Sequence, residues 1–283
     1  MLNAFTIDVE DGVSLAMRDR FGKAVPQTDR VLTLTHSLLE LLARNDALAT
    51  FFVLGQVGER FPELIKEIHA AGHEVGVHGY DHRVFHRLTP REARSELTRA
   101  KKLLEDLTGE AVIGHRAPCF SIDKRTAWVL DLLVELGFLY DSSIVPTHSL
   151  GYGWAGQAAG IGRLETPLKA RLWEVPLSVF GLAGLGAPLL GGSYFRLLPY
   201  AVCHAALSRV QRRQPAIVYL HPYEIDPEPY PSWYLEEVEQ KRFLRRIKIK
   251  SAWLRRKSVA ARYDRLLSEF EFTSIRTLLK GKF

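Results

Sequence analysis

Ala4-Phe5-Thr6-Ile7-Asp8-Val9-Glu10 reads as a strand, and after it Val31, Leu34, Leu38, Leu41 and Leu42 recur at helical spacing before the β-rich run Ala49-Thr50-Phe51-Phe52-Val53. That is a strand-helix-strand unit, and the alternation repeats along the chain. A helix over about 62–71 stops at Gly72 and gives way to the short strand His73-Glu74-Val75-Gly76-Val77-His78. Thr89-Pro90-Arg91-Glu92 has an N-cap, a proline at the first helical position and an acidic first turn, so a helix is expected from there to about Thr108, closed by Gly109. A strand over 111–115, a helix over about 124–136 and a strand over 138–140 add another βαβ step. Such steps predict a parallel sheet, either open and doubly wound or closed as a barrel. No glycine-rich or Walker-type phosphate loop follows any of these strands, which removes the usual nucleotide-binding reason for an open sheet.

The later chain is less regular. Residues 144–200 are rich in Gly, Leu and Pro with only short regular pieces, including a strand over 171–175, and are expected to form walls over a cleft. A strand over 216–220 delivers His221-Pro222, a basic excursion occupies 236–258, and a helix-strand-helix over about 260–279 closes the chain as one domain spanning 1–283.

The polar residues that could carry chemistry fall at the ends of these strands. Strand alternation points Asp8 and Glu10 to one face while Val9 faces the other. Two carboxylates that close repel unless a cation or an arginine compensates them, although an acidic turn running on into Asp11-Gly12 is the plainer alternative. In His78-Gly79-Tyr80-Asp81-His82 the four-residue spacing lets two imidazoles converge on a metal if the segment makes a helical turn, and zinc, iron or cobalt would suit the donors. Arg116-Ala117-Pro118-Cys119-Phe120, Tyr140-Asp141-Ser142-Ser143 and Leu220-His221-Pro222 follow three other strands, on the edge where barrels place catalysis.

Composition narrows the class. A hydrophobic fraction of 47% and a charged fraction of 25% are those of an ordinary globular chain, and the net charge of +6 is a mild excess that does not call for a nucleic-acid partner. Cys119 and Cys203 are too few for a disulfide framework and lack zinc-site spacing, so a reducing compartment is expected. The opening residues lack a basic n-region and a long apolar run, which places the protein in the cytoplasm by expectation. The basic stretch of Lys241, Arg242, Arg245, Arg246, Lys248, Lys250, Arg255, Arg256 and Lys257 is interleaved with apolar residues and would suit peripheral contact with the inner face of an anionic membrane.

Taken in order, Thr6-Ile7-Asp8-Val9-Glu10, His78-Gly79-Tyr80-Asp81-His82, Arg116-Ala117-Pro118-Cys119-Phe120, Asp141 and Leu220-His221-Pro222 resemble the motifs of the polysaccharide deacetylase family. These nodulation-type carbohydrate esterases hydrolyse N-acetyl groups on chitin-like sugars, peptidoglycan and lipid-linked sugars. The resemblance covers nearly the whole chain, and the segment from Gly191 to Pro199 is further similar to the subgroup found with bacterial exopolysaccharide and exosortase gene sets. It implies a distorted (β/α) barrel and a metal-dependent N-deacetylase of an N-acetylated sugar. Glu10, His78 and His82 would hold one divalent metal, with zinc the first choice. Asp8 would be the base and His221 the acid; Arg116 would orient Asp8, and Asp141 would orient His221. Tyr80, Phe120 and Trp154 are the expected sugar-stacking aromatics. One departure is that the family's first motif commonly has adjacent aspartates, whereas here the acids are spaced as Asp8-Val9-Glu10-Asp11; strand alternation favours Glu10 over Asp11 as the ligand. Two rival readings are a small-molecule amidase of the allantoinase type on the same scaffold and a catalytically dead carbohydrate-binding protein.

Overall fold

The computed structural model describes residues 1–147, 153–182, 185–241 and 254–282. Most of the basic stretch proposed for membrane contact, Arg242 to Trp253, therefore lies outside the described residues. The chain begins with β1 (Asn3–Val9), α1 (Gly12–Phe21), α2 (Asp29–Arg44), β2 (Thr50–Val53), α3 (Gly55–Arg60), α4 (Pro62–Ala70) and β3 (Glu74–Val77). It continues through α5 (Pro90–Thr108), β4 (Gly114–His115), α6 (Trp128–Glu135), β5 (Tyr140–Asp141), β6 (Gly162–Glu165), β7 (Arg171–Glu174) and a hairpin of β8 (Phe180–Leu182) and β9 (Leu185–Ala187). The last part holds α7 (Gly192–Leu197), α8 (Tyr200–Val210), β10 (Ile217–Leu220), α9 (Ser232–Glu239), α10 (Val259–Glu269), β11 (Phe272–Thr273) and α11 (Ile275–Leu278).

Among the described residues the strands form one curled sheet in the order β10-β1-β2-β3-β4-β5-β7-β6, with β11 added beside β1. Within that sheet all pairings are parallel except β6 against β7, and β8 and β9 pair antiparallel as a separate two-stranded sheet. The fold is thus a distorted (β/α) barrel. The sheet does not close by a ladder; the chain after β7 bridges the gap, where the Ile217 N–H donates to Ser178 Oγ (2.8 Å) and the Tyr219 N–H donates to the Leu190 carbonyl (3.4 Å).

The hydrophobic run of β2 explains why it is central. Thr50 to Val53 are all buried, as expected of a parallel strand covered on both faces. Val31, Leu34, Leu38, Leu41 and Leu42 form the buried stripe of α2 and pack with Phe51 and Val53 into the main core. The Thr89 cap forms as the sequence predicts: its side chain accepts from the Glu92 N–H while Glu92 returns a bond to the Thr89 N–H (2.8 Å). Strand pairing in β4 and β5 is only two residues long, and the Tyr140 ring lies against Gly114, where a Cβ would sit 2.2 Å from the Tyr140 hydroxyl oxygen. Each parallel strand ends at the same edge of the sheet, and that edge carries the site.

Candidate metal and catalytic site

β1 delivers Asp8 and, one residue beyond its end, Glu10, both 3% exposed or less. Parallel pairing with β2 and β10 fixes their direction, since Thr6 to Val9 pair with Thr50 to Val53 and Ala4 to Ile7 pair with Ile217 to Leu220. Asp11 is drawn away from that face. It is the N-cap of α1, accepting from the Val13 N–H through Oδ1 (2.9 Å) and from the Thr28 N–H through Oδ2.

The His78–His82 segment does not make the helical turn that the spacing suggested. Gly79 (φ +77) and His82 (φ 64) instead adopt left-handed backbone, which folds the segment back on itself. The result is convergence: His78 Nε2 lies 2.7 Å and His82 Nε2 3.0 Å from the same Glu10 Oε1. Ligand atoms of these three buried residues lie within 4.8 Å of one another.

The donor set fits a divalent cation on a proton argument. His78 Nδ1 lies 2.8 Å from the Arg116 carbonyl, to which only a protonated nitrogen can donate. To donate to Glu10 as well, the ring would have to be an imidazolium, whereas a metal takes the Nε2 lone pair of the neutral ring. Two imidazoles and a carboxylate are also the three-ligand set of open metal sites. Burial alone would raise the Glu10 carboxyl, but His82 and His221 nearby, with the hydrogen bonds from both ring nitrogens, hold it well below the usual range. Arg18, on α1, braces the turn: it donates to the Asp81 carbonyl and to His82 Nδ1 (3.1 Å).

Asp8 faces two ways. Its Oδ1 accepts from Arg116 Nη1 (2.8 Å), and its Oδ2 lies 3.9 Å from Nε2 of His221, which follows the neighbouring strand β10. Arg116 is fully buried, stacked 4.3 Å over the Phe52 ring, and also donates to Thr6 Oγ1 (2.7 Å), Ser142 Oγ (2.8 Å) and the Ser142 carbonyl (3.1 Å).

His221 stands just past β10. Its Nδ1 meets Glu224 Oε2 at 3.3 Å, and the same oxygen accepts from the His221 N–H (3.2 Å). Glu224 therefore takes the role expected of Asp141. Asp141 is turned into the interior, accepting from His115 Nδ1 (2.7 Å), Ser143 Oγ (2.7 Å) and the Ser143 N–H (3.1 Å), so it shapes the turn after β5 and does not touch His221. Burial works against the His221 imidazolium, yet the carboxylates of Glu10, Glu224 and Asp8 overcome it and raise the ring to about 9. The Tyr223 ring stacks on His221, with centroids 4.8 Å apart and planes 16° from parallel. Gly12 makes room for that ring, since a Cβ there would lie 2.7 Å from it.

These groups line one cleft of about 440 Å³, with Phe120, Cys119, Tyr219, Tyr230, Ser193, Arg196 and Arg256 also on its walls. Of the three expected stacking aromatics only Phe120 lines it. Tyr80 points the other way, its hydroxyl donating to Glu59 and its ring lying under Arg99 (3.9 Å), because its neighbour Gly55 draws it against α3. Trp154 packs against the core, its N–H held by the Val145 carbonyl (2.9 Å), and is not part of the cleft. The sequence reading missed Glu224, Tyr223, Arg18 and the two cleft arginines. The signal for Glu224 was the three-residue spacing after His221 in a His-Pro-Tyr-Glu turn.

Comparison with known proteins bears on this arrangement. Residues 27–138 match the family described as polysaccharide deacetylase, and residues 142–280 match a domain of unknown function, DUF3473. The peptidoglycan deacetylase of Helicobacter pylori is 34% identical over 140 residues, which are 50% of this chain and 46% of that protein. A peptidoglycan-N-acetylglucosamine deacetylase of Bacillus cereus is 34% identical over 101 residues, 35% of this chain and 37% of that protein. In both, the match spans less than half of the relative's own length. The crystal structure of a polysaccharide deacetylase, so far assigned only provisionally, from Mycobacterium smegmatis superposes with a TM-score of 0.63 at 22% identity, covering 99% of this chain and 88% of that one. An allantoinase structure shares the fold with a TM-score of 0.55 at 17% identity, covering 94% of this chain and 91% of that one.

Proposed function

We propose, for a chain whose residues 27–138 belong to the polysaccharide deacetylase family, that the protein hydrolyses the N-acetyl group of an N-acetylated sugar, releasing acetate and a free amine. The observation that supports this reading is the meeting of a three-donor metal cluster, a carboxylate and an imidazole on one cleft: Glu10, His78 and His82 beside Asp8 and His221. A binding protein needs neither a base nor an acid at that place.

A divalent metal held by Glu10, His78 and His82 supplies Lewis acidity, and zinc suits two imidazoles and a carboxylate. Asp8, aimed by the hydrogen bond from Arg116, accepts a proton from the attacking water through Oδ2. The water oxygen bonds to the acetyl carbon and the carbon–nitrogen bond breaks. His221, an imidazolium at neutral pH, gives its Nε2 proton to the departing nitrogen, while Glu224 fixes the ring through Nδ1. Phe120 offers an apolar wall for a sugar face.

The test is acetate release from chitooligosaccharides, peptidoglycan fragments and lipid-linked N-acetylated sugars, run beside metal analysis of the purified protein. Acetate from at least one class, with about one divalent metal per chain, is the expected result. No acetate from any of them by a metal-loaded protein would discard the reading. Contact of the basic residues of 241–257 with an anionic membrane is a separate part of the proposal, supported by their charge and their apolar interleaving, except for Arg256, which is buried against Tyr230 in the cleft and is not free to take part. Salt-sensitive sedimentation with anionic liposomes checks it, and absence of binding at low salt would remove it.

A further inference from the structure

β7 carries an acid where its alternation calls for an apolar side chain. Leu172 and Glu174 are its buried positions, 1% and 6% exposed, and Glu174 pairs in register with Asp141 of β5, which is fully buried. Two carboxyls side by side in a dry interior cannot both be ionised without a large cost. The contacts show which one keeps the proton. Asp141 is met by three donors: the His115 ring, the Ser143 hydroxyl and the Ser143 N–H. Glu174 Oε1 accepts from the Ile144 N–H (3.0 Å), whereas Oε2 meets no donor among the described residues. Burial first, and then the charge of Asp141 and a hydrogen bond with it, push the Glu174 carboxyl well above the usual range. The arrangement is that of a neutral acid donating to a carboxylate.

Together the two acids hold the turn that holds Arg116. Glu174 fixes the turn over 141–144 at Ile144, and Asp141 fixes it at Ser143. Ser142 Oγ donates to the carbonyl of Val175, the residue after Glu174 (2.7 Å). Arg116 is set against this turn by three bonds. Its Nε donates to the Ser142 carbonyl (3.1 Å) and its Nη2 to Ser142 Oγ (2.8 Å), while the N–H of the next residue, Ala117, donates to Ser143 Oγ (2.7 Å). The remaining nitrogen, Nη1, donates to Asp8 and Thr6. One side of the guanidinium thus rests on the turn and the other on the base, and a planar fork carries the orientation of the first to the second.

We propose that Glu174 is a positioning residue for the base: it clamps the turn over 141–144, the turn sets the plane of Arg116, and Arg116 aims Asp8 into the cleft. Glu174 does not line the cleft, so it acts without touching substrate. The inference rests on the N-deacetylase reading, in which Asp8 takes a proton from the attacking water. A role of this kind costs rate and spares binding, because the substrate meets the same walls while its base is misaimed.

The experiment measures kcat, KM and metal content for metal-loaded wild type and variants, on whichever chitooligosaccharide, peptidoglycan fragment or lipid-linked sugar the wild type deacetylates fastest. Glu174→Met has a similar volume and can bond neither to Ile144 nor to Asp141. It should lose about tenfold or more in kcat, with KM within about twofold and metal content unchanged. Glu174→Gln can still accept from Ile144 and donate to Asp141, so it should recover to within about threefold of the wild-type kcat. Glu174→Asp is one methylene short of both partners and should fall between the two, which carries the test if the methionine variant does not fold. Added to Arg116→Lys, which keeps the charge and loses the fork, Glu174→Met should cost less than about threefold more, because its route to Asp8 is already cut. Four results would each overturn the positioning role and leave the N-deacetylase reading standing. They are a methionine or aspartate variant with wild-type kcat, a glutamine variant as slow as methionine, losses that add in full with Arg116→Lys, and a slower rate accounted for by lost metal. No acetate from the wild type on any of these substrates refutes the N-deacetylase reading and the positioning role with it.

Discussion

Asp8 and His221 come from the neighbouring strands β1 and β10, and Oδ2 and Nε2 end 3.9 Å apart on the same side of the cleft, where the proposed base and acid would both reach a bound amide. Asp8→Asn and His221→Ala should each lower turnover by about 10²-fold or more, with metal content retained, since the proposed ligands are Glu10, His78 and His82; loss of the metal in both would point to the alternative grouping of Asp8, Glu10 and His221. Rapid acetate assays with parallel metal analysis check this, and a near-wild-type rate in either variant would sink the acid–base scheme. The pH profile follows from the sign of the His221 shift. Its ring is raised to about 9, so the proton donor is intact at neutral pH and is lost as pH rises through the basic limb. That limb should fall no higher than about pH 9, since a cation on Glu10 cancels part of the charge that holds the proton. Glu224→Gln should move it to lower pH by removing one of the raising charges, while Asp141→Asn should leave its position unchanged. A limb that shifts with Asp141 and not with Glu224 would restore the pairing expected from sequence. That expectation failed for a physical reason. Asp141 and His221 both end strands on the active edge, but two residues of β5 suffice to turn the Asp141 carboxylate onto His115, whereas Glu224 reaches His221 within a single tight turn.

At the scale of elements, periodicity was a good guide where the chain is regular and a poor one where it turns. The stripe of α2, the buried run of β2 and the cap of α5 were all legible because each depends on neighbours three or four residues away at most. α1 was not, since Gly12–Phe21 carries no continuous apolar face, and Arg18 and Arg20 were hidden with it. The segment from His78 to His82 is the instructive case. Its spacing announced two converging imidazoles, but convergence comes from left-handed Gly79 and His82 and not from a helical turn. Gly79→Ala should therefore act on the site more than its size suggests. A Cβ there meets Pro118 at 3.2 Å and the backbone angle is strained for any residue with a side chain, at a cost of about 1–3 kcal/mol. Weaker metal retention on dialysis against a chelator is the expected outcome, together with a modest loss of stability. Retention equal to wild type would mean that the turn does not set the ligand geometry.

On the scale of the whole molecule, the gap in the barrel is bridged by segments after β7 that a sequence pattern does not reveal, and the cleft is built from both matched regions. His78, His82 and Arg116 come from 27–138, while His221, Glu224, Arg196 and Arg256 come from 142–280. Strand ends were readable as the active edge, but Arg196 enters from the short helix α7 and Arg256 from the turn before α10, whose placement depends on long-range packing that no local period encodes. A cation bound at Glu10, His78 and His82, as proposed, would tie the ends of β1 and β3 together, so binding it would also be a term in folding stability. At about 100 times its dissociation constant a ligand of the folded state adds about 2.7 kcal/mol. For a chain of this size that corresponds to roughly 5–10 °C in Tm, which should vanish on chelation. His78→Ala, His82→Ala and Glu10→Ala should each have a Tm that no longer responds to chelator. Asp11→Ala should behave differently, losing about 1 kcal/mol with the N-cap of α1 while keeping the full chelator response. A response confined to Asp11, or one that survives removal of both histidines, would place the cation elsewhere.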